Sequence, residues 1–480
     1  MILRWICEKC NKKWIYPVEK CAYCKGDIKK QIGTKIKVAG ITKVSISSPM
    51  HPIIPYNILL LQDEHGNRLP KKTMKEYKIG DTYTEERAKT GNAVSTAKIK
   101  YDVYEAIKHS LELINFKVNK DEKILIKPSI TTAAYSYQAV NTNPKTIDAI
   151  IKILLELGVP NTNILVAEQA LIGSDATDAC SKSGIMDICK KNNVQFSDIS
   201  KGPFTDVEQD GIKLKVYSEA MNRLVINVPV MKTNFQLTIS GCLENLTRLL
   251  APESQRKLYQ GDFDRGIAAL SKITRKIINV GDASIGMQAQ GPLTLGEPAF
   301  MSLMLASENA AIIDKAFCDI FMLPAPGYVL ASSNGLSFDK TEYLGNDLES
   351  LKYSIKRAEP NETPHTDIKV IDFKGCPACL NMLNNVTSKL IGLRGEQITV
   401  IIGSHFSEET ARGNRVVAFG DCAAKQLENL KIDIAKIDEK TEPIEQVLFM
   451  QKLLTTKGIP KITNVDKVKS KMKKLLSKVM

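Results

Sequence analysis

The sequence predicts an α/β protein of mostly parallel sheets with helices on both faces, preceded by a cysteine-rich ribbon and a small antiparallel barrel. Three observations carry that expectation. From about residue 91 onward, short continuous apolar runs alternate with segments of helical spacing. Strands that are apolar throughout and joined by helices belong to parallel sheets covered on both faces. Residues 31–90 instead alternate apolar and polar positions between Gly, Asn and Asp turns, which suits short antiparallel strands. Ahead of both, residues 1–30 carry paired cysteines.

Composition sets the limits. At 480 residues, 43% hydrophobic and 25% charged, the chain has room for two or three ordinary globular domains. No run of 18 apolar residues occurs, so no membrane span is expected. The opening "MILRWICEKC" shows no long apolar run followed by a small-residue cleavage site, so secretion is not expected, and with eleven cysteines the expected location is a reducing, cytoplasmic one. The net charge of +13 is uneven: residues 1–40 carry +7 and residues 466–480 carry +5, leaving a nearly neutral body. A nucleic-acid-binding protein would spread its positive charge, so that class is disfavoured. The basic tail 466–480 reads as a solvated terminus or as an amphipathic helix for an acidic partner or membrane surface.

In chain order, "CEKC" and "CAYC" stand first, with ten residues between Cys10 and Cys21. Each Cys-x-x-Cys forms a knuckle whose N–H groups face thiolate sulfur. Together Cys7, Cys10, Cys21 and Cys24 suit closed tetrahedral coordination of a structural zinc or a single iron. Residues 31–90 offer "TKIKVAGITKVSI", "YNILLLQD", the turn "EHGNR" and "YKIGDTY" as strands of the barrel. Over 91–360 the pattern predicts a helix in "AKIKYDVYEAIKHSLELINF", a strand in "KILIKPS", and a helix from Pro144 in "NPKTIDAIIKILLELGV". Strands follow in "NILVAE" and "RLVINVPV", a helix in "FQLTISGCLENLTRLL", strands in "IINVGDA" and "AFMSLMLAS", and a helix in "NAAIIDKAFCDIF". Neither GxxxxGK[ST] nor a post-strand GxGxxG is present, so nothing argues for those nucleotide cradles.

Binding groups of parallel α/β domains gather at the carboxyl ends of strands. There the sequence puts Lys127, Glu168, Lys232, Asn234 and Asp282. The lysines suit an anionic phosphate or carboxylate, and Asp282 suits a cation or a proton. Helix capping or surface pairing is the plain alternative for each. Residues 361–465 form a further α/β segment, entered through "RAEPNETPHTD". In "IKVIDFKGCPACL" and "RVVAFGDCAAKQL" a strand leads to cysteine at a helix start, so Cys376, Cys379 and Cys422 fall at one sheet edge. Three thiolates can hold a [4Fe–4S] cluster and leave one iron open, with His405 as a fourth ligand or acid–base group. Another metal, a redox dithiol or unmodified buried cysteines fit the same residues. A thioredoxin-like fold is disfavoured, because neither Pro443 nor Pro460 opens an apolar strand. Cys180, Cys189, Cys242 and Cys318 lie on apolar helical faces and read as core.

The first 85 or so residues resemble domain-of-unknown-function family 35, a rubredoxin-like zinc ribbon followed by an OB-fold. The resemblance rests on the two Cys-x-x-Cys pairs, "VSISSP", Pro55–Tyr56 and "KIGDTY". It implies a partner of thiolase-like or other acyl-CoA type. Aromatic residues for base stacking are sparse here, so oligonucleotides are a weaker reading of the OB-type barrel. Residues 120–325 resemble domain of unknown function 362, through "ILIKPS", "NTNPKTIDAIIKILLELG", "INVPVMKTN", "GCLENL" and "INVGDASIGMQAQGPLTLG". Members of that family often carry iron–sulfur modules. This chain has Lys232-Thr233-Asn234 where the family shows Lys-x-His, and Glu244-Asn245 where it shows Lys-Asn. The reading that follows is a metal-dependent enzyme acting on an anionic or acyl-CoA-type substrate. Its candidate catalytic residues are Lys127, Lys232, Asn234, Asp282 and His405. The alternatives are a scaffold subunit for an acyl-CoA enzyme and, third, a nucleic-acid-binding protein.

Overall fold

The structure, a computed structural model, describes residues 1–456 except 50, 86, 172–174, 274–275, 294, 360–364, 413–414, 433, 439–440 and 442. The basic tail 466–480 lies outside the described residues. The chain divides into two units. The larger takes Met1–Ala170, Asp175–Ala251 and Asp264–Ala358, and the smaller takes Leu171–Ser174, Pro252–Phe263 and Glu359–Met480.

The larger unit begins with an antiparallel ribbon in which Ile2–Cys7 lies between Lys13–Trp14 and Ile28–Gly33. A four-stranded antiparallel sheet follows, in the order Arg68–Thr73, Tyr56–Gln62, Ile36–Val44, Thr82–Tyr83. Period-two alternation turns Ile36 and Val38 inward, where they pack with Leu59, Leu61, Tyr83 and Ile2 of the ribbon. A closed five-stranded barrel is not among the described pairings. Glu85 fastens this region by meeting the Met1 amino group at 3.3 Å, Lys71 at 3.2 Å and His109 at 3.3 Å. Burial alone would raise its carboxyl, but the His109 hydrogen bond and the surrounding positive charges hold it well below the usual carboxylate range.

The main sheet is mixed. Gln195–Asp198, Ile164–Glu168, Ile124–Pro128, Leu224–Val228 and Ile277–Ala289 run parallel in that spatial order. Leu303–Ser307 continues it antiparallel, then Ala93–Lys98, and Glu342–Gly345 closes the edge parallel to Ala93–Lys98. Ile124–Pro128, Ile164–Glu168 and Leu224–Val228 are buried at every position, which is why they read as continuous apolar runs. Helix Pro144–Glu156 starts where expected: Asn143 caps it by accepting from Lys145 N, and Pro144 needs no N–H partner in the first turn. Its Ile147, Ile150, Ile151 and Leu154 enter the core at helical spacing.

Two expected helices are shorter than their periodicity suggests. The first begins only at Val103, capped by Asp102, because the residues before it form the strand Ala93–Lys98. The stretch "FQLTISGCLENLTRLL" opens as a hairpin between Val230–Asn234 and Thr238–Ser240, and only Cys242–Leu246 is α-helical. Asn234 Oδ1 accepts from the backbone N–H of Gln236 at 2.8 Å and of Leu237 at 3.0 Å, so a side chain makes the turn that apolar spacing hides.

The smaller unit is a parallel sheet of Ile368–Phe373, Ile398–Gly403, Val416–Phe419 and Ala435–Ile437, side by side in chain order. Helix Pro377–Thr387 follows the first strand and helix Asp421–Leu430 the third. Ile401, Ala418, Ala423 and Leu427 form part of its core. Among the described residues, no helix is long and apolar enough to cross a membrane.

Candidate metal centre and central polar site

Three sulfurs meet at the carboxyl edge of the smaller sheet. Cys376 immediately precedes helix Pro377–Thr387, Cys379 lies in its first turn, and Cys422 is the second residue of helix Asp421–Leu430. The Sγ separations are 3.6 Å for Cys376–Cys379, 3.8 Å for Cys379–Cys422 and 3.8 Å for Cys422–Cys376. All three residues are buried. Asp372 shapes the approach by accepting from Gly375 N at 2.6 Å. Gly420 lets the two helix starts close on each other: its φ is +92°, and a Cβ there would overlap Cys379 Sγ. Contact with the Cys376 thiol, with burial behind it, pushes Cys422 up to about 12, and its two thiol neighbours raise Cys379 likewise. A cation that takes the place of those protons relieves the crowding.

The N-terminal cysteines form the second such group. Cys7 and Cys24 Sγ lie 3.4 Å apart, and Cys10 and Cys21 Sγ lie 3.5 Å apart. The knuckle donors are in place, with Cys10 N 3.5 Å from Cys7 Sγ and Cys24 N 3.4 Å from Cys21 Sγ. Burial pushes the Cys21 thiol up, but the N–H groups of Cys24 and Tyr23 outweigh it and hold the thiol down to about 6. The arrangement fits a zinc ribbon. Both groups could hold a metal ion.

His405 stays apart from the triad. Its side chain is exposed beyond Ile398–Gly403, and the close-set ligand atoms there belong to the three cysteines. Arg256, in helix Pro252–Gln260 of the same unit, lies 3.9 Å from Asp421 and favours the Cys422 thiolate. Nothing in the sequence near residue 256 announces that proximity.

The strand-end residues of the larger unit have distinct surroundings. Lys127, Asn227, Asn279 and Ser307 stand in register across neighbouring strands, a polar row through the buried sheet. Lys127 Nζ donates to Glu168 Oε2 at 2.9 Å, Asn245 Oδ1 at 3.0 Å and Pro128 O at 3.1 Å. Asn245 Nδ2 donates to Asn227 Oδ1 and Asn227 Nδ2 to Asn279 Oδ1, both at 2.8 Å. Burial lowers Lys127 and raises Glu168, while their mutual attraction opposes both shifts. Asp282 accepts from Asn143 N at 3.1 Å, Thr146 Oγ1 at 2.8 Å, Ser284 N at 3.0 Å and Ser284 Oγ at 2.6 Å. Burial raises its carboxyl against those four donors. Asn234 completes the hairpin turn by donating to Ser240 Oγ at 2.9 Å. Lys232 is buried and depressed to about 8 by burial, within the field of Glu244, Arg248 and Glu168. Asn227 and Asn279 were legible in principle. "VINV" and "IINV" repeat an asparagine inside an apolar strand, a placement that is costly unless the amide is paired.

No curated protein matches the chain. Among solved structures it is similar to one titled "Ltp2-ChsH2(DUF35) aldolase", at 16% identity over 18% of this chain and 73% of that one. The TM-score of 0.15 is too low to carry an argument. Residues 124–319, which contain the whole polar row, match the family model described as "Domain of unknown function (DUF362)".

Proposed function

We propose that the chain is a metal-dependent enzyme in which Cys376, Cys379 and Cys422 hold a single ion with one coordination position open, while the N-terminal cysteines hold a structural zinc. The observation that carries this reading is the near-equilateral triangle of sulfurs, 3.6 to 3.8 Å on a side. A tetrahedral ion with metal–sulfur bonds of about 2.3 Å sets its ligands about 3.8 Å apart. Sulfurs bound to different irons of a [4Fe–4S] cluster are held farther apart, so a cluster would require the triad to open.

The ligand count separates the two centres. Four thiolates close a coordination sphere and serve folding, whereas three leave the position that catalytic sites keep for substrate or water. An ion there supplies Lewis-acid chemistry at the open position. The chain's own residues hold the sulfurs through two facing helix starts, and Arg256 offsets part of their negative charge.

Anaerobic purification followed by zinc, iron and labile-sulfide analysis tests this. Two ions per chain and no labile sulfide are expected, with one ion lost in Cys376→Ser/Cys379→Ser and the other in Cys7→Ser/Cys10→Ser. Iron with stoichiometric sulfide would put a cluster in place of the single ion. One ion per chain, unchanged by the C-terminal substitutions, would remove the reading.

A further inference from the structure

The larger unit contains buried positive charge that its own side chains leave incompletely bonded. Lys232 is 2% exposed, yet its ammonium donates one hydrogen bond, to Val140 O at 2.9 Å. An ammonium carries three N–H donors, so two have no acceptor among the described residues. Arg248 is 8% exposed, and its buried Nη1 has no hydrogen-bond partner among the described residues. The two cations act on each other, since the charge of Arg248 helps to depress Lys232. Lys127 is the contrast, with its three donors on Glu168, Asn245 and Pro128.

The backbone that carries each of them is fixed. Gln169 Nε2 donates to Arg248 O at 2.7 Å and Leu250 O at 2.6 Å, fixing the turn that carries Arg248 to the end of strand Ile164–Glu168. Lys232 projects from Val230–Asn234, which pairs with Thr238–Ser240 on one side and Ile277–Ala289 on the other. The charges that bear on Lys127 and Lys232 include that of Arg248 and those of Glu168 and Glu244. Leaving buried charged donors without acceptors costs several kcal/mol per group, so the arrangement calls for an anion.

We propose that Lys232 and Arg248 form a binding site for a singly charged oxyanion, a carboxylate or a phosphate monoanion, carried by a small-molecule ligand. Arg248 presents a planar fork to two oxygens and Lys232 a point charge, the two donor types that recognise such groups. Lys232 lies just after strand Leu224–Val228 and Arg248 is tied by Gln169 to the end of strand Ile164–Glu168, and the carboxyl ends of parallel strands are where sheets of this class take ligands. The inference is independent of the metal reading and goes beyond it.

The test is binding of sodium acetate and inorganic phosphate to the full chain, at ionic strength held constant with chloride, read by thermal shift and by NMR of the anion. Saturable binding of at least one anion is expected, weakened by about tenfold or more in Arg248→Met and in Lys232→Met. Lys232→Met removes a buried, poorly bonded cation, so its unfolding temperature without anion should not fall, which separates lost binding from lost folding. Preference for acetate assigns a carboxylate and preference for phosphate a phosphoryl group. No saturable response to either anion, equal responses in both variants, or a crystal structure with only water on Lys232 Nζ and Arg248 Nη1 would overturn the proposal.

Discussion

Replacing Gly420 by alanine should disable the thiol triad, and the structure sets the size of the effect. Gly420 has φ +92° and ψ 159°, a region essentially reserved for glycine, where a side chain costs about 1–3 kcal/mol. The added Cβ would overlap Cys379 Sγ and stand 2.7 Å from Cys379 Cβ. Ordinary carbon contacts begin near 3.5 Å, so one partner must move by roughly 1 Å. Cys379 cannot give way cheaply, because Leu380 N donates to Cys376 O at 3.1 Å and locks the first turn of its helix. Metal sites tolerate ligand displacements of about 0.2 Å. Zinc or cobalt affinity at the triad should therefore fall by about 100-fold or more, equivalent to at least about 2.7 kcal/mol. Competition against a chromophoric chelator measures this, with Gly392→Ala as control. Gly392 also has positive φ, at +88°, but a Cβ there meets nothing within 4 Å. The control should lose about 1 kcal/mol of stability and no metal affinity. Unchanged affinity in Gly420→Ala would refute the argument that this contact sets the sulfur positions.

Other expectations concern the larger unit. Lys127→Met leaves Glu168 buried without its cation and should cost about 3–5 kcal/mol in urea unfolding, with much of the loss recovered in Lys127→Met/Glu168→Gln; a single-variant loss below about 1 kcal/mol would contradict the pairing. Asp314 accepts from Cys242 N at 2.6 Å and Leu243 N at 2.9 Å, and burial pushes its carboxyl up to about 7. The folded chain then keeps a proton that the unfolded chain releases from about pH 4, so stability declines between about pH 4 and 7, by at most roughly 1.4 kcal/mol per pH unit from this group. Asp314→Asn should flatten that slope in denaturation curves taken across pH. Glu85 has the opposite sign: its stabilisation is present above about pH 4 and is lost as pH falls further. Glu85→Gln should lower the melting temperature at pH 7 and leave it nearly unchanged at the lowest pH at which the chain still folds.

Local chemistry was legible without coordinates. The two knuckles at residues 7–24 are determined by their own spacing, since each N–H···S contact spans three residues. Continuous apolar runs marked the buried strands, and Asn143 with Pro144 marked a helix start, because those signals act over a single turn. The edge shared by Cys376, Cys379 and Cys422 also followed from strand-to-helix transitions read one at a time. Tertiary structure decided which of the strand-end groups meet. The hairpin over 230–240 depends on a side chain closing a turn, which periodicity does not register. Lys127 finds Glu168 and Asn245 at sequence distances of 41 and 118, and Arg256 belongs with cysteines far downstream. Pairings over such spans are set by strand register and helix packing, where burial makes an unmatched charge expensive and selects the one arrangement that supplies a partner.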